Sequence, residues 1–212
     1  MKIDFSKVVP IPIPERDVEN SEIWNKNLKL DTNENLMIYA DSGKGKTTFI
    51  NIIYGIRKDY SGTVCLDGKN INNLSNKKIS EIRKTKISIV PQGLMLFSDL
   101  TVRENILIKN KITNFKTESE ILEMIDYLGL KDFFNKKVEK MSYGQQQRIA
   151  IVRALCQPFQ LILLDEIFSH IDNNNIQKAW DLISLETKKQ NAGIILTSLF
   201  ENTNFEINKL RV

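Results

Sequence analysis

The stretch ADSGKGKTT at residues 40–48 decides how this chain folds, because it joins an apolar run to a run with helical spacing. The apolar run is Leu36–Tyr39, and from Lys46 onward apolar residues recur at intervals of three and four. Glycines let successive backbone amides point inward, while a helix start and a lysine add positive charge. The stretch therefore predicts a phosphate-binding loop formed by Ser42, Gly43, Lys44, Gly45, Lys46, Thr47 and Thr48.

Two side chains of this loop are expected to act on the ligand, and one residue departs from the usual pattern. Lys46 is predicted to reach the phosphates, and the Thr47 hydroxyl is predicted to bind Mg²⁺. Ala40 stands where the pattern has glycine, and alanine fits there if its φ angle is negative. A simpler interpretation, a turn between strand and helix, stays open at this point. The loop alone indicates nucleotide binding and no particular reaction.

The composition of the 212 residues is that of a soluble globular protein that forms one large α/β domain. Hydrophobic residues make up 42% of the chain and charged residues 26%. The formal net charge is +4, and the lysines are scattered rather than gathered in one basic tract. Nucleic acid is therefore not expected as a partner. The charge fits a solvated lysine-rich face, and it also fits contact with an anionic membrane leaflet.

The cysteines and the lack of long apolar segments bear on location. Cys65 and Cys156 lie far apart in apolar surroundings, so both are expected to be buried free thiols in a reducing compartment. No window approaches the roughly 18 continuous apolar residues of a membrane span. Residues 1–5 also lack the apolar core of a signal peptide. The sequence therefore predicts a cytoplasmic protein that contacts a membrane only through another protein.

Short apolar runs predict the strands. Leu161–Leu164 and Gly193–Thr197 are typical of buried parallel strands, and residues 205–212 are a candidate last strand. Asn27–Leu30 and Leu36–Tyr39 flank a polar turn, which predicts a hairpin that leads to the phosphate-binding loop.

Turn signals complete the strand prediction. Thr63–Leu66 is followed by Asp67-Gly68, which predicts a small antiparallel sheet. Lys86–Val90 is predicted to be a strand that ends just before Gln92. Residues 1–20 are predicted to form an edge strand or an extended loop without a helix, because they contain Pro10, Pro12 and Pro14.

Capping signals predict the helices. Ser75 is expected to cap a short helix that runs to Arg83, and residues 100–140 are expected to be mainly helical. Thr117 with Glu120 forms a capping box, and so does Ser142 with Gln145 ahead of a helix that Pro158 closes. Another helix is predicted from the spacing of Ile176, Ala179, Trp180 and Ile183.

The order of four motifs resembles that of the ATP-binding cassette (ABC) ATPases. These are the loop at 40–48, Gln92, the segment 142–146 and the pair Asp165-Glu166, which ends an apolar strand as a metal-binding acidic pair does. The resemblance covers nearly everything from about residue 22 onward. It implies an α/β P-loop NTPase fold of the ABC-ATPase type, with a mainly parallel core sheet, a small antiparallel β subdomain and an α-helical subdomain. Residues 1–212 would form one domain, with the helical subdomain at approximately 93–158.

The resemblance also implies the ligands and the catalytic groups. ATP and Mg²⁺ are the expected ligands, and the acidic pair would divide the work, since Asp165 holds Mg²⁺ through water while Glu166 polarises the attacking water. The expected metal-binding residues are Thr47, Gln92 and Asp165. The expected catalytic residues are Glu166, Gln92 and Ser198.

The segment at 142–155 resembles the family signature, which is offered to the γ-phosphate of ATP held by a second cassette. Ser142, Gly144 and Gln145 are therefore expected to contact nucleotide, and a homodimer or a paired cassette is implied. A single short cassette also implies an integral membrane permease as partner. The protein would then sit on the inner face of the cell membrane. Segment 169–172 matches the family's D-loop, in which His170 is expected to be an interface or surface residue.

Three departures from the family pattern concern the nucleotide. Ser198 stands where the family has a histidine, so a contact to the γ-phosphate is expected to be missing or shortened. Tyr143 replaces a glycine of the signature. No aromatic residue falls within 8–14, where one would stack on adenine; Trp24 and Phe5 are alternatives, although core packing is the expected role of both.

Within the family, segments 87–92 and 100–106 look most like the compact cassettes of lipoprotein-release, macrolide-export and cell-division systems. The apolar stretch Leu94–Phe97 fits either a groove for a permease helix or the core of the helical subdomain. The leading hypothesis is an ATPase of low basal activity that drives a membrane permease. The alternative is a regulatory or structural cassette that binds ATP and hydrolyses little. A small-molecule P-loop kinase fits less well, because it would not need segment 142–146.

Overall fold

Two sheets and a set of helices make up the fold in the computed structural model, which describes residues 1–201, 205 and 207–212. The strands are β1 (Lys2–Pro10), β2 (Asn27–Asp31), β3 (Leu36–Tyr39), β4 (Tyr60–Leu66), β5 (Lys69–Asn70), β6 (Ile87–Val90), β7 (Leu161–Asp165), β8 (Gly193–Ser198) and β9 (Asn208–Arg211). The helices are α1 (Glu15–Glu19), α2 (Lys46–Ile53), α3 (Asn76–Thr85), α4 (Val102–Asn110), α5 (Glu118–Tyr127), α6 (Tyr143–Leu155) and α7 (Asn173–Lys189).

The parallel sheet has the strand order β6-β7-β8-β3-β9. Its central strands are continuous apolar runs because helices cover them; every residue of β7 is buried. The predicted strands at Lys86–Val90, Leu161–Leu164 and Gly193–Thr197 are confirmed as β6, β7 and β8. The predicted last strand is confirmed at Asn208–Arg211, while Glu206, also in its range, lies outside the described residues.

The antiparallel sheet has the order β2-β1-β4-β5, and it confirms the small sheet predicted around Thr63–Leu66. The prediction for residues 1–20 was wrong in two respects. Strand β1 is internal, because it pairs with both β2 and β4. A helix also forms there, since α1 begins directly after Pro14 and a proline at a helix start sacrifices no helical hydrogen bond.

The predicted hairpin between β2 and β3 is also wrong, because the two strands belong to different sheets. Strand β2 pairs with β1, whereas β3 lies between β8 and β9 in the parallel sheet. The burial of each strand explains the separation. Strand β2 alternates between exposed and half-buried positions, while Leu36, Met37 and Ile38 of β3 are all buried and need cover on both faces.

The predicted helix caps are confirmed. Ser75 caps α3, and capping boxes join Thr117 to Glu120 at α5 and Ser142 to Gln145 at α6. Helices α4, α5 and α6 all lie between β6 and β7 in the chain. This is the segment that the sequence assigns to the helical subdomain, whose bounds of 93 and 158 stay a prediction.

Two hydrophobic clusters lie on opposite faces of the parallel sheet. One joins the sheet to α4–α7, and the other joins it to α2 and the antiparallel sheet. Phe5 and Trp24 pack on Phe49 in the second cluster, with ring centroids 5.0 and 6.1 Å away, so their expected role as core residues is confirmed. Cys156 is buried as expected, and burial raises its pKa to about 12, whereas Cys65 is only half-buried.

Among the described residues, no helix is both long and apolar enough to cross a membrane.

Candidate nucleotide site

The glycine-rich loop connects β3 to α2 in a conformation that needs its glycines. Gly43 and Gly45 have φ angles of +80° and +106°. A side chain on Gly45 would also lie 3.2 Å from the Trp24 indole nitrogen, which is closer than ordinary packing allows. Ala40 is not among the described residues with positive φ, so alanine adopts this position without strain.

Lys46, the first residue of α2, is held at the centre of the loop. Only 3% of its surface is exposed. Its ammonium group donates hydrogen bonds to the carbonyl oxygens of Ala40 at 2.7 Å and Asp41 at 2.9 Å. It also lies 3.0 Å from a carboxylate oxygen of Glu166. The buried charge is therefore fully compensated by groups of the same chain.

Glu166 follows β7 directly and meets Lys46 because parallel strands end at the same edge of a sheet. Its φ angle of +52° is in the left-handed region, a strained conformation that is common at functional sites. The Gln92 side-chain amide donates to the other carboxylate oxygen at 3.1 Å. The structure thus brings together Lys46, Gln92 and Glu166, which the sequence placed in one site.

Asp165 is buried beside this group and is oriented by Thr197, its partner in register on β8. The Thr197 hydroxyl donates to the Asp165 carboxylate at 2.7 Å and accepts from the Glu166 backbone amide at 3.0 Å. Burial raises the pKa of the Asp165 carboxyl group, although hydrogen bonds from Thr197 and Thr47 act in the opposite direction. The sequence analysis did not identify Thr197 as a site residue. Its position next to Ser198, in a predicted buried strand, could have indicated it.

The donor set of this edge fits Mg²⁺. Mg²⁺ prefers oxygen ligands and is usually bound through one or two carboxylates together with the phosphates of a nucleotide. Asp165 supplies a carboxylate, Thr47 a hydroxyl and Gln92 an amide oxygen. The Thr47 hydroxyl is one of the groups that act on the Asp165 pKa, so it lies near this carboxylate.

A cavity of about 270 Å³ opens over the loop and extends to the proline-rich segment at residues 10–14. Arg57 lines it and was missed by sequence reasoning. Its guanidinium group donates to the Thr48 hydroxyl at 2.9 Å and to the Ile11 carbonyl at 2.8 Å. Lys44 is paired with Asp17 of α1 at 2.7 Å, so the charge of its side chain is already matched within the chain. The cavity is lined by Pro10, Pro12, Ile13, Pro14, Ser42, Gly43, Lys44, Gly45, Lys46, Thr47, Thr48, Arg57, Gln92 and Glu166.

The signature segment lines a different cavity, of about 320 Å³, at the start of α6. The Ser142 hydroxyl accepts from the Gln145 amide, and the Gln145 side chain accepts from the Ser142 amide, so both side chains cap the helix. Arg148 also lines this cavity, and its buried Nε has no hydrogen-bond partner among the described residues. Burial lowers the pKa of Arg148, and the charge of Asp172 opposes that shift. Within one chain, Ser142, Gly144 and Gln145 are therefore not brought to the loop cavity.

Ser198 ends β8 and lines a third cavity, of about 490 Å³, together with Glu166. Its hydroxyl donates to the Phe200 carbonyl at 2.9 Å and accepts from the Phe200 amide at 3.1 Å. The hydroxyl is therefore occupied by its own loop. A longer side chain at this position has open space beside Glu166.

A glycine-rich loop between a strand and a helix of a parallel sheet, with an acidic pair at the end of a neighbouring strand, defines a P-loop nucleoside triphosphatase fold. Comparisons with known proteins narrow this class. A sequence profile of the family described as ABC transporter matches residues 23–169. The chain therefore belongs to the ABC transporter family.

Curated relatives agree with this assignment. The lipoprotein-releasing system ATP-binding protein LolD of Buchnera aphidicola is 30% identical over 187 residues, which cover 86% of this chain and 82% of LolD. The methionine import ATP-binding protein MetN of Staphylococcus haemolyticus is 30% identical over 184 residues, which cover 85% of this chain and 54% of MetN. The expected identity, an ATP-binding cassette resembling the lipoprotein-release type, is confirmed.

A solved structure confirms the fold class. The dimeric ATP-binding cassette MJ0796, in a post-hydrolysis state bound to ADP and Pi, superimposes with a TM-score of 0.77. The two chains are 28% identical, and the match covers 92% of this chain and 87% of the other. Membership of this family favours an ATPase subunit over the regulatory alternative.

Proposed function

We propose that this chain binds Mg-ATP in the loop cavity, forms a dimer in which the signature segment of each copy completes the site of the other, and hydrolyses ATP to drive an integral membrane permease. The observation that carries the proposal is the convergence of Lys46, Gln92, Asp165 and Glu166 at one edge of the parallel sheet. This convergence supports the roles proposed here: Lys46 as the phosphate-binding cation, Asp165 as the metal-binding carboxylate and Glu166 as the base.

Binding uses the loop as a cradle. The backbone amides of residues 43–48 and the Lys46 ammonium group bind the phosphates, with the start of α2 adding positive charge. Thr47, Gln92 and Asp165 would hold Mg²⁺, which would supply positive charge against the charge of the phosphates. The Lys46 ammonium group has three partners, the carbonyls of Ala40 and Asp41 and the Glu166 carboxylate. An incoming phosphate has to replace one of them, and in this proposal it replaces the carboxylate, which carries the same sign of charge as the phosphate.

Displacement of Glu166 from Lys46 has a second consequence. A carboxylate that no longer faces the ammonium group is free to accept a proton from the attacking water. The Glu166 backbone amide stays hydrogen-bonded to Thr197, so only the Glu166 side chain has to rotate. Gln92, which contacts the same carboxylate, is placed to follow this movement.

Ser198 supports a low basal rate in this proposal. The single proton of the serine hydroxyl is donated to the Phe200 carbonyl, so a donor to the developing charge is lacking. The loss of one preorganised donor typically lowers the rate on the order of 10² to 10³-fold. The same observation is what favours the regulatory cassette as a second candidate.

The separation of the loop cavity from the signature cavity supports dimerisation. The start of α6 and the unpaired Nε of Arg148 offer positive charge at a cavity that contains no loop residue of the same chain. The nucleotide of a second copy would supply the matching negative charge. The ATP-binding cassette MJ0796 is dimeric in its solved structure, and a homodimer or a paired cassette is proposed here by that likeness.

The apolar stretch Leu94–Phe97 is proposed to take part in permease binding. Leu94 is buried in the core, whereas Met95 and Phe97 are 69% and 54% exposed. The exposure of the stretch supports both roles that the sequence left open, with its first residue as an anchor in the core and the exposed pair as contact area for the permease. The proposed location is the cytoplasmic face of the membrane, reached through the permease.

Release of inorganic phosphate tests the proposed reaction. Wild-type protein in saturating Mg-ATP should release phosphate slowly, and Glu166→Gln should reduce the rate at least about 10²-fold, because it removes the general base. Both proteins should gain thermal stability from ATP, which shows that binding is intact. Equal rates in the two proteins would refute the role of Glu166, and binding without any phosphate release by the wild type would support the regulatory cassette.

A further inference from the structure

Tyr143 departs from the signature pattern, and its side chain reaches two other motifs of the same chain. Its hydroxyl donates a hydrogen bond to the Gln92 carbonyl oxygen at 3.1 Å. Its ring packs edge-on against His170, with 4.8 Å between ring centroids and 78° between planes. A glycine at this position has no side chain and makes neither contact.

Both contacts lead to Glu166. Through Gln92, the path continues by the side-chain amide to the Glu166 carboxylate at 3.1 Å. Through His170, it continues by a 2.8 Å hydrogen bond to Ser169, whose hydroxyl donates to the Glu166 carbonyl at 3.2 Å. Because that hydroxyl has a single proton, the ring nitrogen of His170 is the donor to Ser169. Tyr143 therefore closes a ring of contacts around Glu166.

The start of α6 packs closely against segment 169–172, next to the contact between Tyr143 and His170. A side chain on Gly144 would lie 2.8 Å from the His170 carbonyl oxygen, so the start of α6 sits directly against segment 169–172. Movement of α6 therefore has to move His170 or break its contact with Tyr143. The carboxylate at the other side of the ring is the one that pairs with Lys46.

We propose that Tyr143 is a positioning residue that locks the signature segment to Glu166 within one chain, and so holds the Glu166 carboxylate on Lys46. The inference rests on the proposed function, because it assumes that nucleotide phosphate competes with Glu166 for Lys46. Linkage then makes the effects reciprocal: phosphate binding loosens the signature segment, and release of the lock strengthens phosphate binding.

The proposed lock predicts how the substitution Tyr143→Phe changes the affinity for Mg-ADP, in direction and in size. Tyr143→Phe keeps the ring on His170 and removes only the hydrogen bond to Gln92. An intramolecular hydrogen bond contributes a factor of about two to ten, so the variant should bind Mg-ADP about two- to tenfold more tightly. ADP is the probe because its β-phosphate reaches the loop lysine and it offers no γ-phosphate for hydrolysis.

Calorimetric titration in two backgrounds separates the lock from a structural role. Tyr143→Phe should tighten Mg-ADP binding in the wild type and should have no effect in Gln92→Ala, where the path to the Glu166 carboxylate is already cut. Tyr127→Phe is the matched control, since Tyr127 is 47% exposed against 42% for Tyr143 and its hydroxyl has no hydrogen bond among the described residues. It should bind as the wild type does.

Each result decides the matter. An unchanged or weaker affinity in Tyr143→Phe, or the same tightening in both backgrounds, would overturn the lock while leaving nucleotide binding intact. A lowered melting temperature with unchanged affinity would assign Tyr143 a structural role only and would also overturn it. If neither the wild type nor Tyr127→Phe binds Mg-ADP, the proposed function itself fails and the lock fails with it.

Discussion

The proposed site has two halves: the loop half, formed by residues 40–48 with Gln92, Asp165 and Glu166, and the signature half, formed by residues 142–148. The two halves differ in how their charges are balanced. In the loop half, Lys46 is 3% exposed and is neutralised by Glu166 within the same chain. In the signature half, Arg148 has a buried Nε without a partner among the described residues, and the α6 N-terminus adds to its positive charge. The positive charge of the loop half is thus already balanced, and on nucleotide binding Lys46 would exchange the Glu166 carboxylate for a phosphate. The signature half is complete only when an anion arrives from outside.

The two halves also differ in how they are anchored. The loop half sits on the ends of β3, β7 and β8, whose pairing fixes Glu166 and Thr197. The signature half sits on α6, outside the sheet. A buried ion pair ties the start of α5, which packs near α6, to α7: the Lys116 ammonium group lies 2.8 Å from Glu186. Changes to this ion pair should therefore affect stability, while changes in the loop half should affect binding.

The largest expected effect is on stability. Lys116 and Glu186 are 6% and 3% exposed, and the charges of Glu186 and Glu120 raise the pKa of Lys116 although burial opposes them. Among the described residues, Lys116→Met leaves the buried Glu186 carboxylate with Lys189 as its one ion-pair partner, and it should lower the free energy of unfolding by about 3 kcal/mol. Urea unfolding measures it.

The exposed Lys111, near the same ion pair in sequence, provides the control for this effect. Lys111→Met should change stability by less than about 0.5 kcal/mol. The double variant Lys116→Met with Glu186→Leu should recover much of the loss, because both charges are then gone. A double variant no more stable than Lys116→Met would show that the carboxylate is not the cause.

The next effect is on nucleotide binding. Lys46→Ala removes a charged hydrogen-bond donor to phosphate, worth about 1.5 to 3 kcal/mol, so the affinity for ATP should fall roughly 10- to 150-fold. The thermal stabilisation by ATP, about 2.7 kcal/mol at 100 times the dissociation constant, should then largely disappear. Lys44→Ala should lose less, because Lys44 is already paired with Asp17. Equal melting shifts in Lys46→Ala and the wild type would contradict the loop assignment.

A smaller effect is expected on turnover. Ser198→His places a donor in the open cavity beside Glu166 and should raise the rate of ATP hydrolysis at least several-fold, which corresponds to about 1 kcal/mol. The affinity for ATP should change little. Rates must be compared on ATP-saturated protein, with Glu166→Gln as the inactive control. A brisk wild-type rate that Ser198→His slows would mean that another group already fills this role.

The smallest effect concerns pH. Hydrogen bonds from the Thr117 backbone amide and hydroxyl, helped by Lys116, lower the pKa of Glu120 to about 2 from an ordinary value of 4.5. Because the folded-state pKa is the lower one, this stabilisation is present above about pH 4.5 and is lost as the pH falls from there towards 2. Glu120 is 43% exposed, so solvent screening keeps the gain to a fraction of 1 kcal/mol.

Variants of the α5 capping box test this pH dependence. Glu120→Gln and Thr117→Val should both reduce the slope of stability against pH between about 4.5 and 2. Thr117→Ser keeps the hydroxyl and should retain the wild-type slope. An unchanged slope in Glu120→Gln would exclude Glu120 as its source.

Local patterns in the sequence predicted most of the fold. Continuous apolar runs were enough for β7 and β8, and hydroxyl residues three positions ahead of Glu or Gln were enough for the caps of α5 and α6. The hairpin prediction failed because the partner of Leu36 is Ile195, which no local pattern around the loop reveals. The prediction of an edge strand at the N-terminus was wrong for the same reason, because the second partner of β1 is the distant strand β4.

The candidate site was predicted as far as its residues belong to motifs. Lys46, Gln92 and Glu166 meet as their motifs suggested. Thr197 and the Tyr143 contacts were missed, because a hydroxyl is recognised as a positioning group only when its partners in space are known. Tyr143 and Gln92 are 51 residues apart in the chain. Their contact depends on how α6 docks on the sheet, which spacing in the sequence does not determine.

The oligomeric state of Glu166→Gln in saturating Mg-ATP tests the division into two halves most directly. This variant keeps the loop half and stops hydrolysis, so light scattering should show a dimer with ATP and a monomer without it. Adding Ser142→Arg places bulk and positive charge in the signature half and should abolish the dimer while the thermal shift by ATP persists. A Glu166→Gln protein that stays monomeric with Mg-ATP, or a dimer that Ser142→Arg does not disturb, would contradict the account.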